Sequence, residues 1–166
     1  MKKKRGFEKI SLKQFKEDIR PNDSILPEGE LEQIKFPKRA TIHSAGYDIF
    51  AIRDITLEPG EMMAIPTGIK AYMLNDEWFS IHVRSGHGFK YNIRLKNQVG
   101  IIDADYYNNP KNEGHIFIAL QNEGDRTFSV KKGEAFAQGI FHKYLLVDND
   151  TADSSRNGGF GSTGEK

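Results

Sequence analysis

The stretch "EMMAIPTGIKAYMLNDEWFSIHVRS" (residues 61–85) contains two runs of aliphatic, aromatic and alternating residues, separated by a short polar segment. Short runs of this kind, bounded by Gly, Pro, Asn and Asp, are typical of β-strands. The same pattern continues on both sides of the stretch and predicts an all-β domain, either a barrel or a sandwich. The further runs are "GYDIFAI" (46–52), "NQVGIID" (97–103), "GHIFIALQN" (114–122) and "RTFSVKKGEAFAQGIFHKYLLV" (126–147).

Two glycines in this region predict tight turns between strands. They lie in "LEPGE" (57–61) and "VKKGE" (130–134), where a backbone with positive φ is least costly for glycine.

The two ends of the chain differ in composition from the β region. In residues 1–34, an N-terminal extension, Ser11 precedes Gln14 with the spacing of a capping box, so a short helix is expected there. Residues 35–147 form the predicted β domain. Residues 148–166 begin as an acidic linker and end in a glycine-rich segment that cannot pack a core, so we expect a flexible arm.

Composition narrows the classes of partner. The chain has 166 residues, a formal net charge of +1 and no cysteine. The charge balance gives no indication of a nucleic acid or membrane partner, and the basic run at residues 2–5 is interpreted as a solvated end. The absence of cysteine excludes disulfides and thiolate chemistry, and no apolar signal-peptide segment follows the basic start. These features predict a cytoplasmic protein.

Two segments carry candidate chemistry. In "VRSGHG" (83–88), Arg84, Ser85 and Gly86 follow a strand and could cradle an anion, although an ordinary turn with a surface arginine has the same sequence. In "VGIIDADY" (99–106), Asp103 and Asp105 follow an apolar strand, as a general base or as a polar turn. No His/Cys cluster predicts a zinc site.

Five segments, in this order, resemble the motifs of the trimeric dUTP diphosphatase (dUTPase) family. The resemblance implies a distorted jelly-roll β-barrel, a homotrimer with active sites shared between subunits, and Mg²⁺-dependent hydrolysis of dUTP to dUMP and pyrophosphate. The segments are "SAGYDIFA" (44–51), "VRSGHG" (83–88), "NQVGIIDADYY" (97–107), "KGEAFAQGIF" (132–141) and "RNGGFGSTG" (156–164).

The resemblance also implies roles for individual residues in the reaction. Asp103 matches the general base that activates the attacking water, while Mg²⁺ bridges the phosphate oxygens. Asp48 matches a residue that supports metal-bound water, and a turn or intersubunit hydrogen bond is the alternative. The phosphate-binding motifs correspond to Arg84, Ser85, Gly86 and Gln138.

Substrate selection is assigned by the same resemblance. Tyr106 matches the ring under the deoxyribose, which excludes a ribose 2′-hydroxyl. Asn97, with the backbone from Gly100 to Ile102 and of the strand around Ile116 and Phe117, matches the slot for the uracil edges. In the predicted C-terminal arm Phe160 stacks on uracil, Arg156 reaches the γ-phosphate, and the triphosphate is wrapped by Gly161, Ser162 and Thr163.

Three features depart from the family pattern. Arg156 lies one residue closer to the paired glycines than is usual, and the segment 107–114 is a few residues longer than the usual turn, which predicts an extended hairpin loop near the uracil slot. The N-terminal extension has no match in the core family. Two alternative functions are a deaminase acting on dCTP, which shares the fold, and a regulatory protein that senses nucleotide.

Overall fold

The structure is a computed structural model that describes residues 3–18 and 30–153, and it is dominated by β-strands. The described chain forms three short helices, α1 (Leu12–Asp18), α2 (Glu30–Gln33) and α3 (Ser85–Tyr91), and one 3-10 turn, Ala104–Tyr106. Its strands are β1 (Gly6–Lys9), β2 (Lys38–Arg39), β3 (Tyr47–Phe50), β4 (Ile55–Leu57), β5 (Met62–Pro66), β6 (Ile69–Tyr72), β7 (Glu77–Val83), β8 (Ile93–Leu95), β9 (Gly100–Asp103), β10 (Phe117–Asn122), β11 (Phe128–Val130) and β12 (Ala135–Lys143).

The strands pair in four antiparallel groups. The largest sheet has five strands in the order β2-β3-β12-β7-β9, and a second sheet has the order β5-β10-β8. Two-stranded pairs, β1-β6 and β11-β4, complete the fold. The all-β architecture predicted from the sequence is therefore present.

Alternation along the strands divides apolar from polar side chains. On one face of the five-stranded sheet Phe79 and Ile102 are buried in the main core, where they join Ile65 and Ile118 of the second sheet. Successive residues of a strand point to opposite faces. The other face of the five-stranded sheet therefore carries polar residues that lie side by side in the register, namely Asp48, Gln138 and His82.

The two predicted glycine turns are confirmed by the backbone. Gly60 has φ of +84° and Gly133 has φ of +82°. Residues with a Cβ rarely adopt this region, so both turns depend on glycine.

The N-terminal extension packs on the β domain. Strand β1 pairs with β6, from Gly6 opposite Tyr72 to Lys9 opposite Ile69. The predicted helix is confirmed as α1, where the Gln14 N–H donates to the Ser11 hydroxyl over 3.1 Å. The domain boundaries proposed from the sequence stay predictions.

The segment 107–114 is not the hairpin loop predicted from its length. Strand β9 before it pairs with β7, whereas β10 after it pairs with β5 and β8. The 3-10 turn Ala104–Tyr106 takes the chain out of the first sheet, so the segment connects two sheets.

Among residues 3–18 and 30–153, the helices are too short and too polar to span a membrane.

Candidate active site

The segment after β7 presents hydrogen-bond donors at one end of the five-stranded sheet. Arg84 is the first residue beyond the strand, and helix α3 begins at Ser85. A Cβ at Gly86 would meet no atom within 4 Å, so the space beside this residue is open in the single chain. The three residues predicted to form an anion cradle therefore lie together at an accessible edge.

Neighbouring strands hold these donors in place. The Arg84 Nε atom lies 3.2 Å from Asp48 Oδ1, and an Nη1 N–H of Arg84 donates to the Ala135 carbonyl over 3.3 Å. The Gln138 side-chain amide donates to the Val83 carbonyl over 3.1 Å. Since Gln138 stands opposite Asp48 in the register, the contacts tie β3 and β12 to the end of β7.

A cavity of about 270 Å³ opens between these side chains. His87 forms part of its wall, although sequence reasoning gave it no role. Burial lowers the pKa of His87, so its neutral form is favoured. Its position inside the "VRSGHG" segment was the available signal. The lining residues are Ala40, Ser44, Gly46, Asp48, Arg84, Ser85, Gly86, His87 and Gln138.

A second cavity, of about 240 Å³, lies beside the predicted uracil residues. Asn97, Gly100 and Phe117 all line it, next to Ile118 and Ala119 of β10. The structure therefore brings together three of the residues expected to contact the base. Ile102 and Ile116, also expected near the base, are buried and do not line this cavity.

Gly100 is also required for the packing of β9 against β7. A Cβ there would stand only 2.9 Å from the Cβ of Ile81, too close for real atoms. The backbone of β9 can approach β7 this closely only with glycine.

The predicted general base, Asp103, and the predicted sugar-contacting residue, Tyr106, stand at the opposite end of β7 from Arg84. Asp103 is the last residue of β9 and lies opposite Trp78, which stacks on His142 with ring centroids 4.7 Å apart. Asp103 is partly exposed, while Tyr106 is 4% exposed. The Tyr106 hydroxyl donates to the His115 carbonyl over 2.9 Å.

Within one chain, Asp103 and Arg84 do not meet. The pairing of Trp78 with Asp103 places Asp103 at the start of β7, and Arg84 follows its end. A strand rises about 3.3 Å per residue, so the two side chains are separated by roughly 20 Å along β7. A single copy therefore does not bring the predicted general base and the predicted anion cradle into one site.

No preformed metal centre is present in the part of the chain that the structure describes. Within it, no group of three or more His, Cys, Asp or Glu residues is close enough to hold an ion. The cavity at Arg84 has one carboxylate, Asp48, which is already paired. Magnesium is commonly held by one or two carboxylates together with substrate phosphates. The donor set therefore fits an ion that arrives with a nucleotide.

Comparison with known proteins identifies the family. A sequence model of dUTPase matches residues 32–164, which is most of the chain. The chain belongs to the dUTPase family. The family predicted from the five motifs is thereby confirmed, and the matched range extends through the glycine-rich segment at the C-terminus.

Curated relatives of the chain are named as enzymes that hydrolyse deoxyuridine triphosphate. The chain is 48% identical over 133 residues to a deoxyuridine 5′-triphosphate nucleotidohydrolase of Lactococcus lactis, covering 79% of this chain and 89% of the relative. It is 37% identical over 142 residues to a protein of the same name from Shewanella piezotolerans, covering 81% and 90%.

Solved structures confirm the dUTPase-type fold. A dUTPase from Streptococcus mutans is 39% identical and covers 86% of this chain and 98% of its own, with a TM-score of 0.66. A dUTPase from phage phi11 of S. aureus, whose structure shows the coordination of a structural Mg(II) ion, is 21% identical with a TM-score of 0.60, covering 74% of this chain and 92% of its own. The second likeness concerns the fold alone.

The predicted residues of the C-terminal arm lie outside the described residues. They are Arg156, Phe160, Gly161, Ser162 and Thr163. Their roles stay predictions from the dUTPase resemblance.

Proposed function

We propose that this chain hydrolyses dUTP to dUMP and pyrophosphate in a homotrimer whose active sites combine residues of different subunits. One arrangement supports this proposal above all. The chain carries a donor-lined cavity at Arg84 and a slot at Asn97 and Gly100, with the carboxylate of Asp103 at the end of the strand that leads from the slot. These are the parts that a site for a pyrimidine nucleoside triphosphate requires.

Asp103 acts as the general base in the proposed reaction. It accepts a proton from a water molecule whose oxygen attacks the α-phosphorus, and the bond from this phosphorus to the α,β-bridging oxygen breaks. Pyrophosphate leaves with the electrons of that bond, and the new P–O bond completes dUMP. The charge that develops on the phosphate oxygens would be offset by Mg²⁺ bound to them.

Arg84 binds and orients the phosphates. A guanidinium group donates planar, paired hydrogen bonds to phosphate oxygens, and these are stronger than hydrogen bonds between neutral groups. Asp48 forms an ion pair with Arg84 in the single chain and so holds the guanidinium at the cavity. Ser85, Gly86 and Gln138 line the same cavity and are proposed to complete the phosphate contacts.

Base and sugar are selected at the other part of the site. Asn97 and the backbone around Gly100 would pair with the uracil edges. A cytosine in this slot would leave buried donors and acceptors without partners, which carries a high energetic cost. The ring of Tyr106 would lie under the deoxyribose and exclude a 2′-hydroxyl.

Two observations support the shared site. Because Arg84 and Asp103 stand at opposite ends of β7, the proposed site takes its general base from a second copy. In addition, apolar side chains are exposed on the single chain in the places where a copy could cover them. Ile101 on β9 is 63% exposed, and Leu145, Leu146 and Val147 beyond β12 are 96%, 68% and 75% exposed.

The C-terminal arm is proposed to close the site over bound nucleotide. Phe160 would stack on uracil and Arg156 would contact the γ-phosphate, with Gly161, Ser162 and Thr163 along the triphosphate. The cytoplasmic location predicted from the sequence remains a prediction.

Pyrophosphate release tests the function directly. The full chain is incubated with Mg²⁺ and dUTP, dCTP, dTTP or UTP, beside Asp103→Asn. We expect release from dUTP alone, and a loss of about 10²- to 10⁴-fold in the variant with dUTP still bound. Ammonia from dCTP would indicate the deaminase alternative, and tight binding of dUTP without release would indicate the sensor.

A further inference from the structure

Two segments that the sequence predicts to depart from the family pattern, the N-terminal extension and residues 107–114, are in contact with each other. The matched family range begins at residue 32, so β1 and α1 lie outside it. The segment 107–114, which lies within the matched range, packs against them. The Tyr107 hydroxyl donates to Glu8 over 2.5 Å, and both the backbone N–H and the hydroxyl of Ser11 donate to Glu113, over 3.0 and 2.6 Å.

Glu113 completes the cap of α1. In a capping box the third residue of the helix returns a side-chain hydrogen bond to the backbone N–H of the cap. Here the carboxylate of Glu113, from a segment about one hundred residues away, accepts from the N–H of Ser11. The start of the N-terminal helix therefore depends on the position of the 107–114 segment.

His115 provides a second connection, at the other end of α1. Its Nε2 accepts from the Gly68 N–H over 2.9 Å, and its Nδ1 lies 2.6 Å from the Asp18 carboxylate. Because a backbone N–H can only donate, Nε2 carries no proton and Nδ1–H donates to Asp18. Burial lowers the pKa of His115, in agreement with a neutral ring held between two partners.

The same segment fixes the tyrosine of the proposed sugar site. The Tyr106 hydroxyl donates to the carbonyl of His115 and accepts from the side-chain amide of Asn112 over 2.8 Å. The Asn112 Oδ1 atom accepts from the Asn109 side chain over 2.7 Å and from the Gly114 N–H over 3.1 Å. Both polar atoms of the Asn112 amide are thus engaged, and the phenol ring has one hydrogen-bonded orientation.

The backbone of the segment also closes on Tyr106. The Asn109 side-chain amide donates to the Tyr106 carbonyl over 2.9 Å. A Cβ at Gly114 would stand 2.6 Å from that same carbonyl oxygen, so only glycine permits this approach. Tyr106 is held from its backbone to its hydroxyl by one segment.

We propose that Asn112 and His115 are positioning residues for Tyr106, and that the N-terminal extension, through Ser11 and Asp18, sets the selectivity of this enzyme for deoxyribose over ribose. The inference rests on the proposed function, since Tyr106 is taken as the surface under the sugar. A ring free to tilt would make room for a 2′-hydroxyl. The extension, although remote from the phosphates, then acts on substrate choice.

The test uses two variants and a matched control. Asn112→Ala removes the donor to the Tyr106 hydroxyl, and Asp18→Ala removes the partner of His115. Glu17→Ala removes a carboxylate from the same helix, at an exposed position whose ion-pair contact is with Lys13. The ratio of kcat/KM for dUTP to that for UTP is measured for each. We expect it to fall about five- to tenfold in the first two, as for one lost hydrogen bond, and to stay unchanged in the control.

A double-mutant cycle separates positioning from general destabilisation. In a Tyr106→Phe background, Asn112→Ala should lower the ratio no further, because the hydroxyl through which it acts is gone. An equal fall in both backgrounds would overturn the proposal.

A readout without catalysis distinguishes this inference from the proposed function. The chain is labelled with 3-fluorotyrosine, and the ¹⁹F resonance of Tyr106 is assigned by its loss in Tyr106→Phe. It should move in Asn112→Ala and Asp18→Ala and not in Glu17→Ala; an unmoved resonance refutes the positioning role. A wild-type chain that releases no pyrophosphate from dUTP refutes the proposed function instead. Sugar selectivity is then measured as the ratio of the dissociation constants of UMP and dUMP by calorimetry. An equal ratio in all variants would overturn the inference.

Discussion

The two ends of β7 carry the two halves of the proposed chemistry, and they are supported in different ways. At the Arg84 end, the donors are held by neighbours in the same sheet, Asp48 and Gln138. At the Asp103 end, part of the support comes from outside the matched family range, through Arg5, which pairs with Glu77 at the first residue of β7. The phosphate half is therefore built from residues within the matched range, whereas the other half also depends on a residue N-terminal to that range.

The largest effect is expected when Arg84 and Asp103 are supplied by different chains, each of which lacks the other residue. Arg84→Ala and Asp103→Asn should each be nearly inactive alone. If sites are shared, trimers refolded from an equal mixture should regain about a quarter of wild-type activity, because random assembly restores that share of sites. The measurement is pyrophosphate release before and after mixing through denaturant. A mixture as inactive as its components, while wild-type chain refolded in the same way recovers its activity, would refute the shared site.

Loss of the guanidinium at the phosphate end should be the next largest effect. Arg84→Ala is expected to lower kcat/KM for dUTP about 100-fold, since a donor aimed at developing negative charge is removed. Arg94→Ala serves as the control, because Arg94 is exposed and pairs with Glu123 at 2.7 Å. Steady-state kinetics decide; similar losses in both variants would indicate a general effect of positive charge.

At the other end, Arg5→Ala should destabilise the fold without altering the phosphate site. Glu77 is 3% exposed, and its hydrogen bond with Arg5 lowers the pKa of its carboxyl. Removing Arg5 leaves a buried carboxylate without its cation, which is strongly unfavourable. We expect Tm to fall by several degrees, while Lys143→Ala, at the exposed pair with Asp76, should leave it nearly unchanged. Equal thermal shifts in the two variants would contradict this account.

The smallest expected effect is a dependence of stability on pH from His115. Burial lowers its pKa in the folded chain, so the folded state disfavours the proton that the unfolded state accepts. This contribution is complete above about pH 6.5, the ordinary value, and is lost as the pH falls below it, at no more than about 1.4 kcal/mol per pH unit. Urea unfolding at pH 7.5 and 5.5 measures the difference.

The control for the pH effect is internal. His115→Asn should reduce the difference between the two pH values, whatever its cost at pH 7.5. His82, which is less buried and also has a lowered pKa, should contribute less, so His82→Gln should change the difference less. A difference unaltered in His115→Asn would show that this ring does not carry the effect.

Much of the fold could be predicted because its signals are local. Gly60 and Gly133 predicted the two turns in which they lie, and the spacing of Ser11 and Gln14 predicted α1. Helix α3 was not predicted, since "SGHGFKY" contains two glycines and has a low helix propensity. The strand β8 has only three residues, too few for a pattern to show.

The site was predictable in its residues but not in their arrangement. The motifs placed Asn97 and Gly100 together, and the structure does the same. The separation of Asp103 from Arg84 follows from the register of β9 on β7, which motif spacing does not contain. Ser11 and Glu113 are far apart in sequence, so their contact could not be predicted from it. The sequence therefore did not indicate that the N-terminal extension and the segment 107–114 support each other.

The place of Trp78 gives the molecule an optical reporter. It is the only tryptophan of the chain, and it stands directly across the sheet from Asp103. Its indole stacks on the imidazole of His142, so its emission responds to this one neighbourhood. Nucleotide arriving at the Asp103 end, or a second subunit covering it, can therefore be followed in solution by intrinsic fluorescence, with no label and in real time.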